Sequence, residues 1–233
     1  YTFNGRILTD TKPVDGRQMI ARSMAGWCSK VGAKWRMKAG AHQSSSLSLT
    51  AADFIGPIEW VNQDPISDAC NAVRARWLSP EKNWQEVTTP LVRKIVTAPN
   101  ITAGARCTIV SVGTTSFTSI GAASNTVGVT FTATGAGTGT GTVDPYLGED
   151  NGVEHIRDID LFGVTNEATA LRLARIQLEE SRHGLTFVCR TTLKAMTVQA
   201  GDYVDATLSP YGWTNKLFRV ASHREIHETG EDG

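Results

Sequence analysis

The clearest alternation of apolar and polar residues lies between residues 165 and 192. Its first half has apolar side chains at steps of three and four, which is the period of an amphipathic helix. These side chains are Ala170, Leu171, Ala174 and Leu178. Thr165 or Asn166 can cap the first turn, and Gly184 can take the left-handed conformation that ends a helix. Residues 185–192 alternate with period two, so we expect a helix packed on a β-sheet, a scaffold without chemistry of its own.

The pattern of the N-terminal part predicts a helix followed by short strands. Pro13 suits the first position of a helix, because its missing N–H has no helical partner to lose. The apolar residues after it keep a helical spacing and predict that the helix runs to Gly32, which can stop it. These apolar residues are Ile20, Met24, Trp27, Cys28 and Val31. Further strands are expected at residues 47–49, 58–61 and 69–78, with a turn at 79–84.

Residues 33–39 alternate apolar and cationic side chains, which predicts a half-buried strand with a positively charged outer face. The cationic residues are Lys34, Arg36 and Lys38. Such a row could bind an acidic partner, although most rows of this kind are simply a solvated face.

The composition changes in the middle of the chain. From Cys107 to Val143 there is no charged residue, and Gly and Thr dominate. Strands are expected at residues 105–112 and 127–134, because apolar residues alternate there. Residues 134–142 are of low complexity and could form a flexible edge or linker.

This change of composition predicts a chain of two parts. We expect residues 100–145 to form a small Gly/Thr-rich β-module. The module would be inserted into a discontinuous α+β host domain built from residues 1–99 and 146–233. An insertion at an exposed turn is tolerated because the entropy of a loop grows slowly with its length.

The overall composition excludes some classes of function and leaves others open. The 233 residues are 40% hydrophobic, which is enough for one large domain or two small ones. Lys+Arg and Asp+Glu number 23 each, so no basic field suggests nucleic acid. No apolar run reaches the length of a membrane span. The four cysteines are far apart and favour neither zinc nor a disulfide framework. Because the chain begins at Tyr1, we expect it to be a segment of a longer protein.

No catalytic constellation is recognisable in the sequence. It has neither a phosphate-binding glycine loop before a helix nor a nucleophile elbow. On a strand, His223, Glu225 and His227 would share one face and could form a weak metal site, but the sequence does not identify a third ligand for zinc. A zinc protease also needs glutamate directly after the first histidine, and Glu225 is displaced from that position. Asp158 and Asp160 fit a solvated strand edge better than an acid/base couple. We therefore expect no catalytic residue, no metal ligand, no cofactor and no enzymatic activity.

An ordered set of short segments resembles a known family. The segments are 33–40 (AKWRMKAG), 79–85 (SPEKNWQ), 157–161 (RDIDL), 170–174 (ALRLA), 201–202 (GD) and 211–213 (YGW). Together they are similar to the tail-tip proteins of tailed bacteriophages, the host-specificity J-like group, whose hub region resembles baseplate hub barrels. The resemblance covers residues 1–92 and 148–228 by the order of motifs. Residues 104–142 separately resemble Gly/Thr-rich modules appended to phage structural proteins.

The resemblance implies a fold and a structural role. The expected fold is α+β and mainly β, with a tail-hub-like β-barrel or sheet body, two packed helices and the inserted β-module. The protein would form a homotrimeric collar at the distal end of the tail in the virion, after assembly in the bacterial cytoplasm. It would close the tail tube, contact the distal tail and tape-measure proteins, and position parts of the full protein that bind the host receptor.

Large aromatic side chains are candidates for the interfaces of such an assembly. The candidates are Trp60, Trp84, Trp213 and Phe117. The tryptophans could equally belong to a core. An alternative function is a lectin-like module in which residues 100–145 present Phe117 or Phe131 to a sugar. A cell-wall hydrolase would need an acid/base pair or a metal site that the sequence does not suggest.

Overall fold

The computed structural model of the protein describes residues 3–5, 7, 9–31, 33–40, 44–61, 69–182 and 184–224, with the backbone alone for Val31, Trp60 and Val61. These residues form three helices and fifteen strands. The helices are α1 (Pro13–Ser23), α2 (Pro145–Glu149) and α3 (Glu167–Arg182). The strands are β1 (Trp27–Val31), β2 (Lys34–Lys38), β3 (Leu47–Thr50), β4 (Phe54–Val61), β5 (Ala72–Ser79), β6 (Gln85–Thr88), β7 (Val92–Arg93), β8 (Val96–Thr97), β9 (Arg106–Ser111), β10 (Thr130–Thr132), β11 (Thr142–Asp144), β12 (Ile156–Asp160), β13 (Thr186–Thr191), β14 (Tyr203–Leu208) and β15 (Trp213–Arg219).

The fold class predicted from the sequence, α+β and mainly β, is confirmed, but the predicted barrel is wrong. Every sheet formed by the described residues is open. A barrel needs its first and last strands to pair with each other. The sheets instead have two to four strands, and in the sheet ordered β12-β5-β6 the two outer strands lie on opposite sides of β5.

The chain divides into two compact units. The first unit comprises residues 1–63 and 185–233, and the second comprises residues 64–184. The second unit contains the whole of residues 100–145 together with strands that the sequence assigned to the host. The division into a host and an inserted module at 100–145 therefore stays a prediction.

The first unit is built around β14. This strand pairs antiparallel with β15 and parallel with β3, so residues about a hundred and fifty positions apart share one sheet. A second pairing, between β4 and β13, also joins the two ends of the sequence. Two small groups of buried side chains lie among its described residues, one around Leu49, Val198 and Val204 and one around Ala206, Leu208 and Trp213.

The predicted first helix is too long. It begins at Pro13 as expected, but it ends at Ser23, and Trp27–Val31 is strand β1, paired with β2. Ala25 has a φ of 47°, which a helix does not allow. A Cβ on Gly26 would lie 2.1 Å from the Lys38 carbonyl oxygen, so the chain passes close to β2 at a residue without a side chain just before β1 begins. The apolar residues of β1 fit a helical period and a strand period equally well, and hydrogen bonding to β2 decides between the two.

One four-stranded sheet of the second unit, called the β5 sheet, has β5 at its centre. Strand β12 pairs with β5 in parallel, β6 and β7 pair with it antiparallel, and helix α3 packs against β5 and β7. The helix follows the sequence prediction, because Ala170, Ala174 and Leu178 are buried and the Asn166 side chain accepts the Thr169 N–H at 3.2 Å. The predicted helix and its cap are therefore confirmed.

The Gly/Thr-rich segment forms a sheet ordered β10-β9-β11-β8 around an apolar core. The expectation that residues 134–142 form a flexible linker is wrong. The Gly137 N–H donates to the Ala98 carbonyl oxygen at 2.9 Å, and the Gly141 N–H donates to Thr115 Oγ1 at 2.8 Å. A Cβ on Gly141 would lie 2.7 Å from the Phe117 ring, so this glycine permits close packing.

Candidate functional site

The four candidate interface aromatics lie in different surroundings. Trp84 is 59% exposed, Trp213 is 7% exposed and Phe117 is fully buried. For Trp60, only the backbone is described, and it pairs with Phe187 across β4 and β13. The structure therefore brings none of the described candidates together, and it leaves Trp84 as the one whose described side chain is largely open to solvent.

Phe117 is a core residue of the Gly/Thr-rich sheet. Its ring packs edge-on against Phe131, with ring centroids 5.9 Å apart, and Phe131 is itself buried. A ring without accessible surface cannot stack on a sugar or a partner protein. Because these are the aromatic residues of 100–145, neither is the exposed ring that the sugar-binding alternative calls for, and Phe117 is a core residue. Sugar binding by residues 100–145 itself stays a prediction.

Trp213 belongs to the aromatic core of the first unit. Its ring centroid lies 4.8 Å from that of Phe218 and 5.3 Å from that of Phe187. These three packed rings join β13 to β15. Of the two roles open to Trp213, the structure assigns it the core.

Trp84 lies in a turn between β5 and β6. Residues 80–82 form a single 3-10 turn, after which Asn83 and Trp84 both have positive φ angles, of 53° and 60°. The Trp84 N–H donates to the Ser79 carbonyl oxygen at 2.9 Å and closes the turn. The indole is thus held outside the sheet by the backbone.

The cationic row of β2 binds within its own unit. Arg36 donates to the Gln199 side chain at 2.7 Å, and Lys38 donates to the Asp202 carboxylate and, at 3.1 Å, to the Gly201 carbonyl oxygen. Burial alone would raise the pKa of Asp202, but the Lys38 ammonium and the Gln199 N–H more than offset it, so the pKa lies below its ordinary value. The acidic group that this row binds in the structure is Asp202.

The indole of Trp27 completes this contact between the hairpin and residues 199–202. Its ring meets Tyr203 edge-on at 5.8 Å, and the Arg219 guanidinium lies 4.7 Å from its centroid. A Cβ on Gly201 would lie 2.3 Å from Trp27 Nε1, so the backbone passes directly over the indole. The β1–β2 hairpin is therefore attached by both charge and packing.

Asp158 and Asp160 are counterions on the exposed face of the β5 sheet. Arg74 binds Asp158 through two hydrogen bonds of 2.8 and 3.0 Å, and Arg76 lies 3.1 Å from Asp160. The hydrogen bond from Arg74 holds the pKa of Asp158 below its usual value. A carboxylate stabilised in its charged form by a neighbouring strand has the chemistry of an ion pair, not of a proton donor.

A buried polar network in the second unit was not predicted from the sequence. The Asn71 amide donates to Asp150 and to the Val153 carbonyl oxygen, each at 2.7 Å, and its oxygen accepts the His155 N–H at 2.9 Å. Arg182 binds the same Asp150 carboxylate with two nitrogens. An asparagine between apolar residues at the start of β5 was the available clue, because a buried amide requires partners.

A second cluster of polar groups surrounds helix α2. The Tyr146 hydroxyl donates to Glu179 at 2.7 Å, and Lys94 donates to the other oxygen of that carboxylate at 2.5 Å. Burial, followed by the bond to Glu179, raises the pKa of Tyr146. These contacts tie α2 to α3 and leave the tyrosine a structural donor.

Asp144 caps the start of α2 and is fully buried. Its Oδ1 accepts the Leu147 N–H at 3.1 Å, while its Oδ2 has no hydrogen-bond partner and lies 4.0 Å from Arg93. Burial raises its pKa, although the backbone donors and the arginine oppose the shift.

The histidine face considered for metal binding is only partly described. His223 is exposed near the end of the described residues, and Glu225 and His227 lie outside them. Within the described part of the chain, no three His, Cys, Asp or Glu residues are grouped so as to hold a metal ion. Nor does that part contain a helix long and apolar enough to cross a membrane.

No protein-family model matches the chain, and no curated protein matches its sequence. The geometry itself presents buried networks and paired charges that join segments distant in sequence, and one largely exposed tryptophan at a turn.

Proposed function

We propose that the chain is a structural component of a bacteriophage tail tip, the hub at the base of the central fibre. In this role it closes the tail tube and positions the parts of the full protein that bind the host receptor. The proposal rests on the family resemblance of the sequence, and one structural observation supports it: two of the segments that carry the resemblance, 33–40 and 201–202, contact each other.

In the first unit, the segment at residues 33–40 supplies Arg36 and Lys38, and the segment at 201–202 supplies the Asp202 carboxylate and Gly201 carbonyl that Lys38 binds. In the second unit, the segment at 157–161 contains most of β12, which pairs with β5 directly before the segment at 79–85. Residues that together determine a fold are expected to contact one another, and the contact between 33–40 and 201–202 is of this kind. Strand β12 pairs with residues 72–76, which lie outside the resembling segments.

The proposed role is one of assembly. The partners would be further copies of the chain in a homotrimer and the distal tail and tape-measure proteins, at the distal end of the tail in the virion. Asp202, Asp158 and Asp160 serve as counterions of neighbouring cationic side chains. Such paired charges suit a protein whose task is to hold a shape and present surfaces.

Electron microscopy of the virion tests the proposal. Particles of the phage that carries the gene are incubated with gold-labelled antibody raised against the chain, with antibody pre-absorbed on the purified chain as control. We expect label only at the distal end of the tail, and particles lacking the gene should have no closed tip. Label on the capsid or along the tube, or complete tips without the gene, would overturn the proposal.

The alternative function, sugar binding through residues 100–145, would have to rely on threonine and serine hydroxyls, because both aromatic rings of this segment are buried. It is tested by glycan binding before and after deletion of the segment. Binding that disappears with residues 100–145 would favour it over the tail role.

A further inference from the structure

The turn formed by residues 79–85, called here the Trp84 turn, carries a tryptophan in an unfavourable backbone conformation. Trp84 has a φ of 60°, and the residue before it, Asn83, has a φ of 53°. Asparagine tolerates this region because its short side chain bonds locally, but a bulky aromatic residue does not. Glycine or asparagine would fit position 84 with less strain. Strain of this kind marks positions that a protein uses, so the side chain itself requires an explanation.

The side chain is not needed for packing. The indole is 59% exposed, and within the described residues no aromatic ring or cationic group stacks on it. The comparison with Trp35 is informative, because that indole is 53% exposed but has the Arg17 guanidinium 3.9 Å above its ring. Trp84 therefore presents an aromatic face that has no such cover.

The surroundings of the ring discriminate between classes of ligand. Within the turn and at the start of β6, the neighbours are exposed and polar: Glu81, Lys82, Asn83, Gln85 and Glu86. The centre of a protein interface is depleted in charged residues, so this composition does not suit one. Two carboxylates against one ammonium also do not suit a polyanion such as nucleic acid, which requires a basic surface.

We propose that the Trp84 turn binds neutral oligosaccharides. The indole supplies a flat apolar face for the C–H surface of a sugar ring, and the exposed carboxylate and amide groups of the flanking residues bind hydroxyls, which are both donors and acceptors. This site lies outside residues 100–145 and does not depend on the tail-tip role.

The test follows the indole N–H signals of the full chain by NMR during titration with maltoheptaose, cellohexaose and hexa-N-acetylchitohexaose. The signal of Trp84 is assigned by its loss in Trp84→Phe. For at least one sugar we expect a saturable shift of the Trp84 signal, with a dissociation constant on the order of 1 mM, and no comparable shift of Trp35.

Two variants decide whether the ring itself carries the binding. Trp84→Asn relaxes the turn, so it should fold at least as well as the parent while weakening binding by about tenfold or more. Trp35→Ala removes an indole of similar exposure and should leave binding unchanged. The proposal is overturned if none of the three sugars shifts Trp84, or if Trp84→Asn binds as the parent does. A Trp84 signal that responds to protein concentration, and not to sugar, would overturn it in favour of a self-association surface.

Discussion

Replacing Arg182 by methionine should destabilise the second unit strongly. Arg182 and Asp150 are largely buried, with 11% and 13% of their side-chain surfaces exposed. The arginine makes two hydrogen bonds to Asp150 and a third, of 2.8 Å, to the Cys70 carbonyl oxygen. Methionine fills part of the volume but leaves the carboxylate with the Asn71 amide as its remaining described partner.

The size of the effect follows from what is left unpaired. Removing one partner of a buried ion pair costs about 3–5 kcal/mol, because the other charge stays buried without compensation. The Asn71 amide and the remaining solvent access of Asp150 reduce that cost, so we expect about 3 kcal/mol. Against the 5–15 kcal/mol that is typical of a whole domain, this is a large fraction.

Arg74→Met provides a matched control. Arg74 also binds an aspartate, Asp158, through two hydrogen bonds, but the side chains of this pair are 44% and 38% exposed. Water replaces the lost contacts of an exposed pair, so no measurable loss of stability is expected. Both arginines make two hydrogen bonds to an aspartate, so the two substitutions differ mainly in burial and in the third bond that Arg182 makes to the Cys70 carbonyl oxygen.

Urea unfolding, read by hydrogen exchange of peptides from residues 69–182, measures the difference. Adding Asp150→Asn to Arg182→Met should recover part of the loss, because the uncompensated charge is removed. The reasoning is refuted if Arg182→Met is no more destabilising than Arg74→Met, or if the second substitution brings no recovery.

Three further predictions concern single positions. Burial raises the pKa of Asp144, so the contribution of this group to stability is complete below the ordinary carboxyl pKa and falls as pH rises through the folded-state pKa. Asp144→Asn should therefore remove this pH dependence and raise the Tm at neutral pH. A lower Tm would instead mean that the carboxylate is ionised and paired. Gly201→Ala should cost about 1–3 kcal/mol in thermal unfolding, because a Cβ there would lie 2.3 Å from Trp27 Nε1. Gly212 also has a positive φ but has nothing within 4 Å of an added Cβ, so Gly212→Ala should cost less. Equal losses would contradict the packing argument. Phe117→Ala should cost about 3–5 kcal/mol in urea unfolding, as expected for a fully buried ring, and a loss below about 1 kcal/mol would contradict its place in the core.

The sequence predicts those elements whose period is unambiguous. Helix α3 has apolar positions that only a helix brings to one side, and Asn166 caps it as expected. Residues 27–31 fit both periods, and a partner strand decided the outcome. The glycines of residues 134–142 suggested flexibility, although in the structure they let neighbouring segments approach closely.

The polar networks could not be predicted, because their members are far apart in sequence. Asn71 and Asp150 are separated by 79 positions, and Arg182 and Cys70 by 112. Nothing in the local pattern of either residue indicates its partner. By contrast, the sequence did predict the turn that exposes Trp84. It did not predict the positive φ of Trp84 within that turn.

The hydrogen bond from Arg182 to the Cys70 carbonyl oxygen has a consequence for how such a chain changes over evolutionary time. It places the first and last described segments of the second unit side by side. A segment attached in this manner behaves as a cassette: it can be exchanged for another, or shortened to a brief loop, without altering the order of strands elsewhere.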